Sequence, residues 1–278
     1  MKFLIIEQDL RVSGTSQGVI SRSFLAKLKK SYPKSIIDVH YIAKDDTNDL
    51  LNLLPVNSIK KHIISRKIPL HIKILNRFFK SFSNISIRDK FIHKRYANCI
   101  SKINYDNYDH IFIRSAGISH EIILGTHNLP ILKKSIVNFH DPYPVAWYVG
   151  TRTKVTKQDL FRLKKTIEIV DQAKTCSSSA FNMSHDLQQI YASKKKFFTL
   201  PHQFDKSVFD FSDTNQTIKK NKKVMISYHG ALQFGRNAEN LLLAYQELLS
   251  ENPTYKSDTE LVMRVKGYKV NELKEKFK

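Results

Sequence analysis

Lys2-Phe3-Leu4-Ile5-Ile6-Glu7 is a short β-type run, and it feeds the polar, glycine-bearing stretch Arg11-Val12-Ser13-Gly14-Thr15-Ser16-Gln17-Gly18. A helical pattern through Leu25, Leu28 and Tyr32 follows at once. Strand, flexible loop and helix open an α/β unit, and the chain repeats the theme. Ile36 to Ile42 alternates as a second strand, Ile111-Phe112-Ile113 is a later one after the turn at Asp106 to Asp109, and Ser135 to Phe139 runs into His140-Asp141-Pro142. Val170 to Thr175 predicts a further strand, with Ser177-Ser178-Ser179 capping a helix through Met183, Leu187 and Ile190. Strands separated by helical segments pair in parallel through crossovers. The pattern therefore predicts an α/β fold, a doubly wound, Rossmann-like parallel sheet with ligands at the carboxyl ends of its strands.

The chain has 278 residues, and domains cluster at roughly 100–150. Two units are expected. Leu200-Pro201-His202 closes the first, and from Phe209 to Lys223 the sequence turns polar and charged without apolar periodicity. Val224 to Tyr228 restarts a strand, His229 to Arg236 forms a loop, Asn240 to Leu249 a helix and Glu260 to Val265 a strand. This divides the chain into a Rossmann-like domain over 1–208, a linker over 209–223 and a second Rossmann-like unit over 224–278. So short a second stretch cannot make a full sheet with both faces covered, so that unit is expected to be incomplete.

Composition narrows the function classes. The longest apolar runs, such as Leu241-Leu242-Leu243-Ala244, fall far short of a membrane span, and Glu7 and Asp9 interrupt the N-terminal apolar stretch before a signal-peptide core forms. A cytoplasmic location is expected. Cys99 and Cys176 are the only cysteines and have no partner spacing suited to zinc, so neither a disulfide framework nor a metal site is supported. With 46 Lys and Arg against 25 Asp and Glu the formal net charge is +21, which favours an anionic partner without choosing among nucleic acid, lipid and phosphorylated substrate. No zinc-finger, RRM or KH signature accompanies the charge, which argues against a specific nucleic-acid partner.

Three stretches carry a resemblance: Ser13-Gly14-Thr15-Ser16-Gln17-Gly18, Asn138-Phe139-His140-Asp141-Pro142-Tyr143-Pro144, and His229-Gly230-Ala231-Leu232-Gln233-Phe234-Gly235-Arg236-Asn237. Their layout resembles the family 4-type glycosyltransferases, retaining, nucleotide-sugar-dependent enzymes of the two-Rossmann GT-B architecture. The resemblance covers nearly the whole chain and implies a GT-B N-terminal, acceptor-side domain followed by the start of a donor-binding one, with reaction in the cleft between them. It implies donor diphosphate binding by Gly230, Gly235 and Arg236. A departing nucleotide diphosphate needs backbone N–H donors and fixed cations, and glycine turns and helix N-termini supply the first. Ala231 departs from the pattern, because many relatives carry Arg directly after the glycine.

By the same resemblance His140 meets the donor sugar or reacting phosphate, Asp141 orients it or meets an acceptor hydroxyl, and Ser13, Gly14 and Gly18 form a cleft loop. Read from the residues alone, His-Asp-Pro also fits a plain strand-end turn, the glycine loop a simple connection, and Arg236 a solvated helix-start cation. The nucleotide diphosphate sugar enters as co-substrate; no other cofactor and no metal are implied. Relatives place two glutamates on a later helix of the second domain; Glu272 and Glu275 lie too early and too close together for that role. This chain alone is therefore expected to transfer sugar weakly or not at all.

From Ile59 to Lys102 the chain carries twelve Lys and Arg residues and one acid, Asp89. On a helix from about Pro69 to Phe82, Leu70, Ile74, Phe78 and Phe82 share one stripe, flanked by Lys73, Arg77 and Lys80. That layout fits a helix lying on an anionic membrane surface, and it also fits a core-facing helix with a solvated basic face. The leading function is transfer of a hexose to a glycan or lipid-linked acceptor in envelope polysaccharide synthesis, peripheral on the inner face of the cell membrane. The alternative is a non-catalytic basic fragment that binds a membrane surface or a partner.

Overall fold

The computed structural model describes residues 1–12, 15–65, 67–83, 86–117, 119–144, 154–210, 222–232, 238–266 and 270–277. The chain forms two compact units, Met1–Phe211 and Ser212–Lys278. In the first, the strands are β1 (Lys2–Glu7), β2 (Ile36–Ala43), β3 (Ser58–Ile63), β4 (His110–Arg114), β5 (Ser135–Phe139), β6 (Thr175–Ser178) and β7 (Phe197–Thr199). They make one seven-stranded sheet in the order β3-β2-β1-β4-β5-β6-β7, and every pairing is parallel. The helices of this unit are α1 (Ser16–Ser31), α2 (Leu70–Ser83), α3 (Ile87–Ile100), α4 (Glu121–Gly125), α5 (Lys157–Gln172) and α6 (Phe181–Ile190). The doubly wound α/β class is as the sequence predicts.

β1 shows why both faces are covered. Phe3 and Ile5 point to one side, where they pack with Phe24, Leu25 and Leu28 of α1. Leu4 and Ile6 point to the other, against Tyr96 and Ile100 of α3, Ile122 of α4 and Val170 of α5. Period-two alternation thus splits one apolar run between two cores, and a strand buried on both sides needs that continuous run.

Around β6 two boundaries differ from expectation. Val170 belongs to α5, not to a strand, and β6 begins at Thr175. The Thr156–Asp159 capping box starts α5, and Thr166, Ile169 and Val170 recur at helical spacing on its buried face, so the apolar pair Ile169-Val170 closes a helix. Ser177 and Ser178 lie inside β6, and Ala180 is the N-cap residue of α6. Asn138 Nδ2 donates to Ser177 Oγ (2.8 Å), and Ser178 Oγ pairs with Ser184 Oγ (2.8 Å), which explains how hydroxyls sit in a buried strand.

The segment after His202 stays with the first unit through Phe209, whose ring stacks on Phe204 and lies under the Arg22 guanidinium. Arg22 itself is fully buried and donates to the carbonyls of Leu10, Asp49, Leu50 and Val208, tying three segments together without a carboxylate. The second unit pairs β8 (Val224–Ala231) with β9 (Thr259–Lys266) in parallel, joined through α7 (Ala238–Glu251) and α8 (Tyr255–Asp258), with α9 (Val270–Lys276) following. Among the described residues no helix is long and apolar enough to cross a membrane.

Candidate active site

The order of the sheet reverses between β1 and β4, which places a switch point where the carboxyl ends of these strands part. Ligands of open α/β sheets gather there. Both strands end in a charge: Glu7 and Arg114 are paired in register, and Arg114 Nε lies 3.0 Å from Glu7 Oε2, an ion pair without in-line hydrogen-bond geometry. Each side chain is at most 2% exposed. Burial pushes the Glu7 carboxyl up to about 7, with Arg114 opposing, and lowers the Arg114 guanidinium, with Glu7 opposing. The guanidinium also caps the Phe24 ring, 3.8 Å from its centroid.

His140, one residue beyond β5, joins this pair. Arg114 Nη2 lies 3.1 Å from His140 Nε2, and because a guanidinium only donates, Nε2 accepts and the ring proton sits on Nδ1. That Nδ1–H is buried and has no hydrogen-bond partner among the described residues. Burial first, then Arg114, His202 and His120, hold the imidazole well below its usual pKa, so His140 is neutral at pH 7. As an uncharged ring it can donate from Nδ1 but cannot serve as an imidazolium acid.

The surroundings extend outward in layers. His202 stacks on His140 at 5.7 Å between centroids, and Gln17 Nε2 donates to Asp141 Oδ2 at 3.2 Å, which brings the start of α1 to the His140-Asp141 turn. The cavity among Arg114, His140, Ser179 and His202 holds only about 10 Å³, so the inner group is packed and the half-exposed Asp141 and exposed His202 face outward. Behind them His120 is fully buried against Phe139 and Tyr143, with neither ring nitrogen hydrogen-bonded among the described residues, and burial pushes its imidazole down to about 3. Gln8 braces the neighbouring turn: its Nε2 donates to Glu121 Oε2 (2.6 Å), and its Oε1 accepts from the Ala116 and Ile122 amides.

Of the residues singled out in the sequence, His140 and Asp141 lie at this edge together with Gln17. Gly18 is in the first turn of α1, where its amide donates to the N-cap Thr15 Oγ1 (3.2 Å) and is thereby used. Its missing Cβ has a steric reason, since a Cβ there would come within 2.2 Å of the Arg11 carbonyl oxygen. Gly230 is in β8, paired with Val265: the strand expected to end at Tyr228 runs on through Ala231, so His229 to Ala231 are ladder residues and not part of the loop expected there. Ser13, Gly14, Gly235 and Arg236 lie outside the described residues. Sequence reasoning missed Glu7, Arg114, His120 and His202. The signal was present for the first two, as charged residues closing the apolar strands KFLIIE and HIFIR. Among the described residues no group of three or more His, Cys, Asp or Glu could hold a metal ion.

No protein-family model and no curated protein matches the chain. Solved structures do. The N-terminal domain of Candida albicans trehalose-6-phosphate phosphatase superposes with a TM-score of 0.61 at 14% identity, covering 99% of this chain and 68% of that one. A trehalose-6-phosphate synthase, OtsA, gives 0.59 at 9% identity, covering 99% and 68%. This is a GT-B-type fold. The UDP-GlcNAc 2-epimerase of Neisseria meningitidis, bound to UDP-GlcNAc, shares it with a TM-score of 0.52 at 12% identity, covering 96% of this chain and 66% of that one. The GT-B-type chain thus spans about two thirds of the length of the structures it matches. Its buried Glu7–Arg114–His140 group stands at the switch point of the first Rossmann-like sheet of that fold.

Proposed function

We propose that the protein is a retaining hexosyltransferase that moves a sugar from a nucleotide diphosphate sugar to a glycan or lipid-linked acceptor in envelope polysaccharide synthesis. The observation that carries the reading is the neutral His140, held by Arg114 in the Nδ1–H tautomer at the carboxyl edge of a GT-B-type sheet. In this reading the His140 Nδ1–H binds the donor sugar or reacting phosphate, and Asp141, steadied by Gln17, receives an acceptor hydroxyl. Ser13, Gly14 and Gly18 form the cleft loop, while Gly230, Gly235 and Arg236 hold the diphosphate. Basic side chains and helix termini neutralise the leaving group, so no metal and no further cofactor is invoked. Neighbours whose structures hold UDP-GlcNAc, UDP-glucose and UDP-2-fluoro glucose support a uridine diphosphate sugar as donor.

The test is nucleotide release from UDP-hexoses with and without glycan and lipid-linked acceptors, with the anomeric configuration of the product read by NMR. Weak acceptor-dependent release with a retained anomeric configuration, abolished by His140→Ala, is the expected result. Acceptor-independent release with inversion at sugar C2 would instead make the protein an epimerase. A second reading, a basic protein acting at a membrane surface, is favoured by the outward-facing apolar stripe of α2. The two are compatible if the acceptor is a lipid at the inner face of the cell membrane.

A further inference from the structure

α2 breaks the rule by which helices of this unit are placed. Leu70 is 72% exposed, Ile74 62%, Phe78 63% and Phe82 77%, so the stripe that would have faced a core faces outward instead. The core-facing reading of this helix is overturned. The Phe78 and Phe82 rings meet at 4.9 Å between centroids, tilted by 45°, on that outer face, and exposed Lys67, Lys73 and Arg77 flank it with no acid on the helix. A monomer rarely leaves so continuous an apolar strip uncovered without a partner for it.

A cavity adjoins the start of α3, on which the other face of α2 packs. Asn76 of α2 accepts from the Arg88 amide (3.0 Å) at the start of α3, beside Ser86, and Ser86 lines a cavity of about 350 Å³ between α3 and α5. Phe161, exposed, forms part of its wall. Its two carboxylates are already engaged, Asp89 with Arg162 (2.9 Å) and Glu168 with His127 (2.6 Å). Lys90, Lys164 and Lys165 also line it and form no ion pair with a described residue. Lys165 Nζ instead lies 3.3 Å from the Nδ1 of His93, a ring that burial pushes down to about 4 and keeps neutral. Burial also lowers the Lys165 ammonium, with Asp89 and Glu168 opposing, and an anion seated beside it would favour its charged form.

We propose that α2 and the α3–α5 cavity together form one docking site for an anionic phospholipid surface, with the α2 stripe entering the interface and a lipid phosphate seated among Lys90, Lys164 and Lys165. Charge complementarity selects this occupant, since the flanking cations meet the lipid phosphates as the apolar side chains leave water. The proposal goes beyond sugar transfer and does not depend on it, because binding is read without any sugar nucleotide.

Flotation of the full chain with phosphatidylcholine vesicles, with and without phosphatidylglycerol, tests it. Binding is expected only with the anionic lipid, and Phe78→Ser with Phe82→Ser should abolish it while the thermal melt stays unchanged. Lys164→Gln with Lys165→Gln should weaken binding about 25-fold, from about fivefold per cation near the lipid. Lys133→Gln with Lys174→Gln removes the same charge at the opposite edge of the sheet and should weaken it less than twofold. Equal losses in the two lysine pairs would overturn the headgroup seat. Equal binding to neutral vesicles, oligonucleotide binding that the serine variant alone removes, or a dimer that this variant dissociates without touching vesicle binding would overturn the membrane assignment.

Discussion

Arg114 and Phe82 belong to the same compact unit and invert the usual order of burial: the guanidinium is 1% exposed and the phenyl ring 77%. At the carboxyl edge of the sheet, Glu7, Arg114, His120 and His140 are taken out of water where hydrophobic strands end, and their ionisation is displaced by that burial. On α2, by contrast, apolar area is left in water beside the exposed cations Lys73 and Arg77. Folding alone would favour neither arrangement, because a buried ion pair barely repays its desolvation and an exposed aromatic ring gains nothing. Regions that depart from the stability optimum in opposite ways are where a protein keeps its working surfaces.

The comparison can be broken most forcefully at Arg114. Arg114→Met leaves the Glu7 carboxyl buried without its cation, and a loss of about 3–5 kcal/mol in denaturant unfolding is expected. If the loss stays below 1 kcal/mol, the pair is not what holds the site edge. Truncation of two phenylalanines measures the contrast directly. Phe139→Ala, in the core against Tyr191 and Phe197, should cost about 3–5 kcal/mol, whereas Phe82→Ala should stay within about 0.5 kcal/mol.

Titration sharpens the same contrast. The Glu7 carboxyl rises from 4.5 to about 7 on folding, so its contribution to stability is fully present below about pH 4.5 and is lost as pH rises through 7. The fall is on the order of 3 kcal/mol. Subtracting the unfolding profile of Glu7→Gln from that of the native protein should reveal it. His120 works the other way: its folded value is about 3 against 6.5, so its contribution is present above 6.5 and lost as pH falls toward 3. In NMR titration its ring signals should stay those of a neutral imidazole at pH 5. A modest effect is expected at Gly18→Ala. A methyl 2.2 Å from the Arg11 carbonyl oxygen must displace backbone, costing roughly 1–3 kcal/mol. The better helix propensity of Ala returns about 1 kcal/mol, so a net loss of 0–2 kcal/mol should appear in thermal unfolding.

Much of the frame was legible because β1, β2, β4 and β5 carry apolar runs bounded by polar turns, and such runs in alternation with helices leave few topologies open. The segment around Val170 was not, since a short apolar pair has no period of its own and the deciding signal was the Thr156–Asp159 capping box a dozen residues upstream. His140 and Asp141 could be picked out at a strand end, yet Arg114, which sets the tautomer of His140, is 26 positions away in sequence and meets it only across β4 and β5.

Local periodicity, turn chemistry and the positions of charges at strand ends determined the parallel α/β class, the break into two units and the amphipathic character of α2, because each depends on residues a few positions apart. Which way α2 turns its apolar stripe, which nitrogen of His140 carries the proton, and which lysines lack a carboxylate were decided by tertiary structure alone. Those properties depend on groups brought together from distant parts of the chain, and burial, which sets their energies, is a property of the assembled layers.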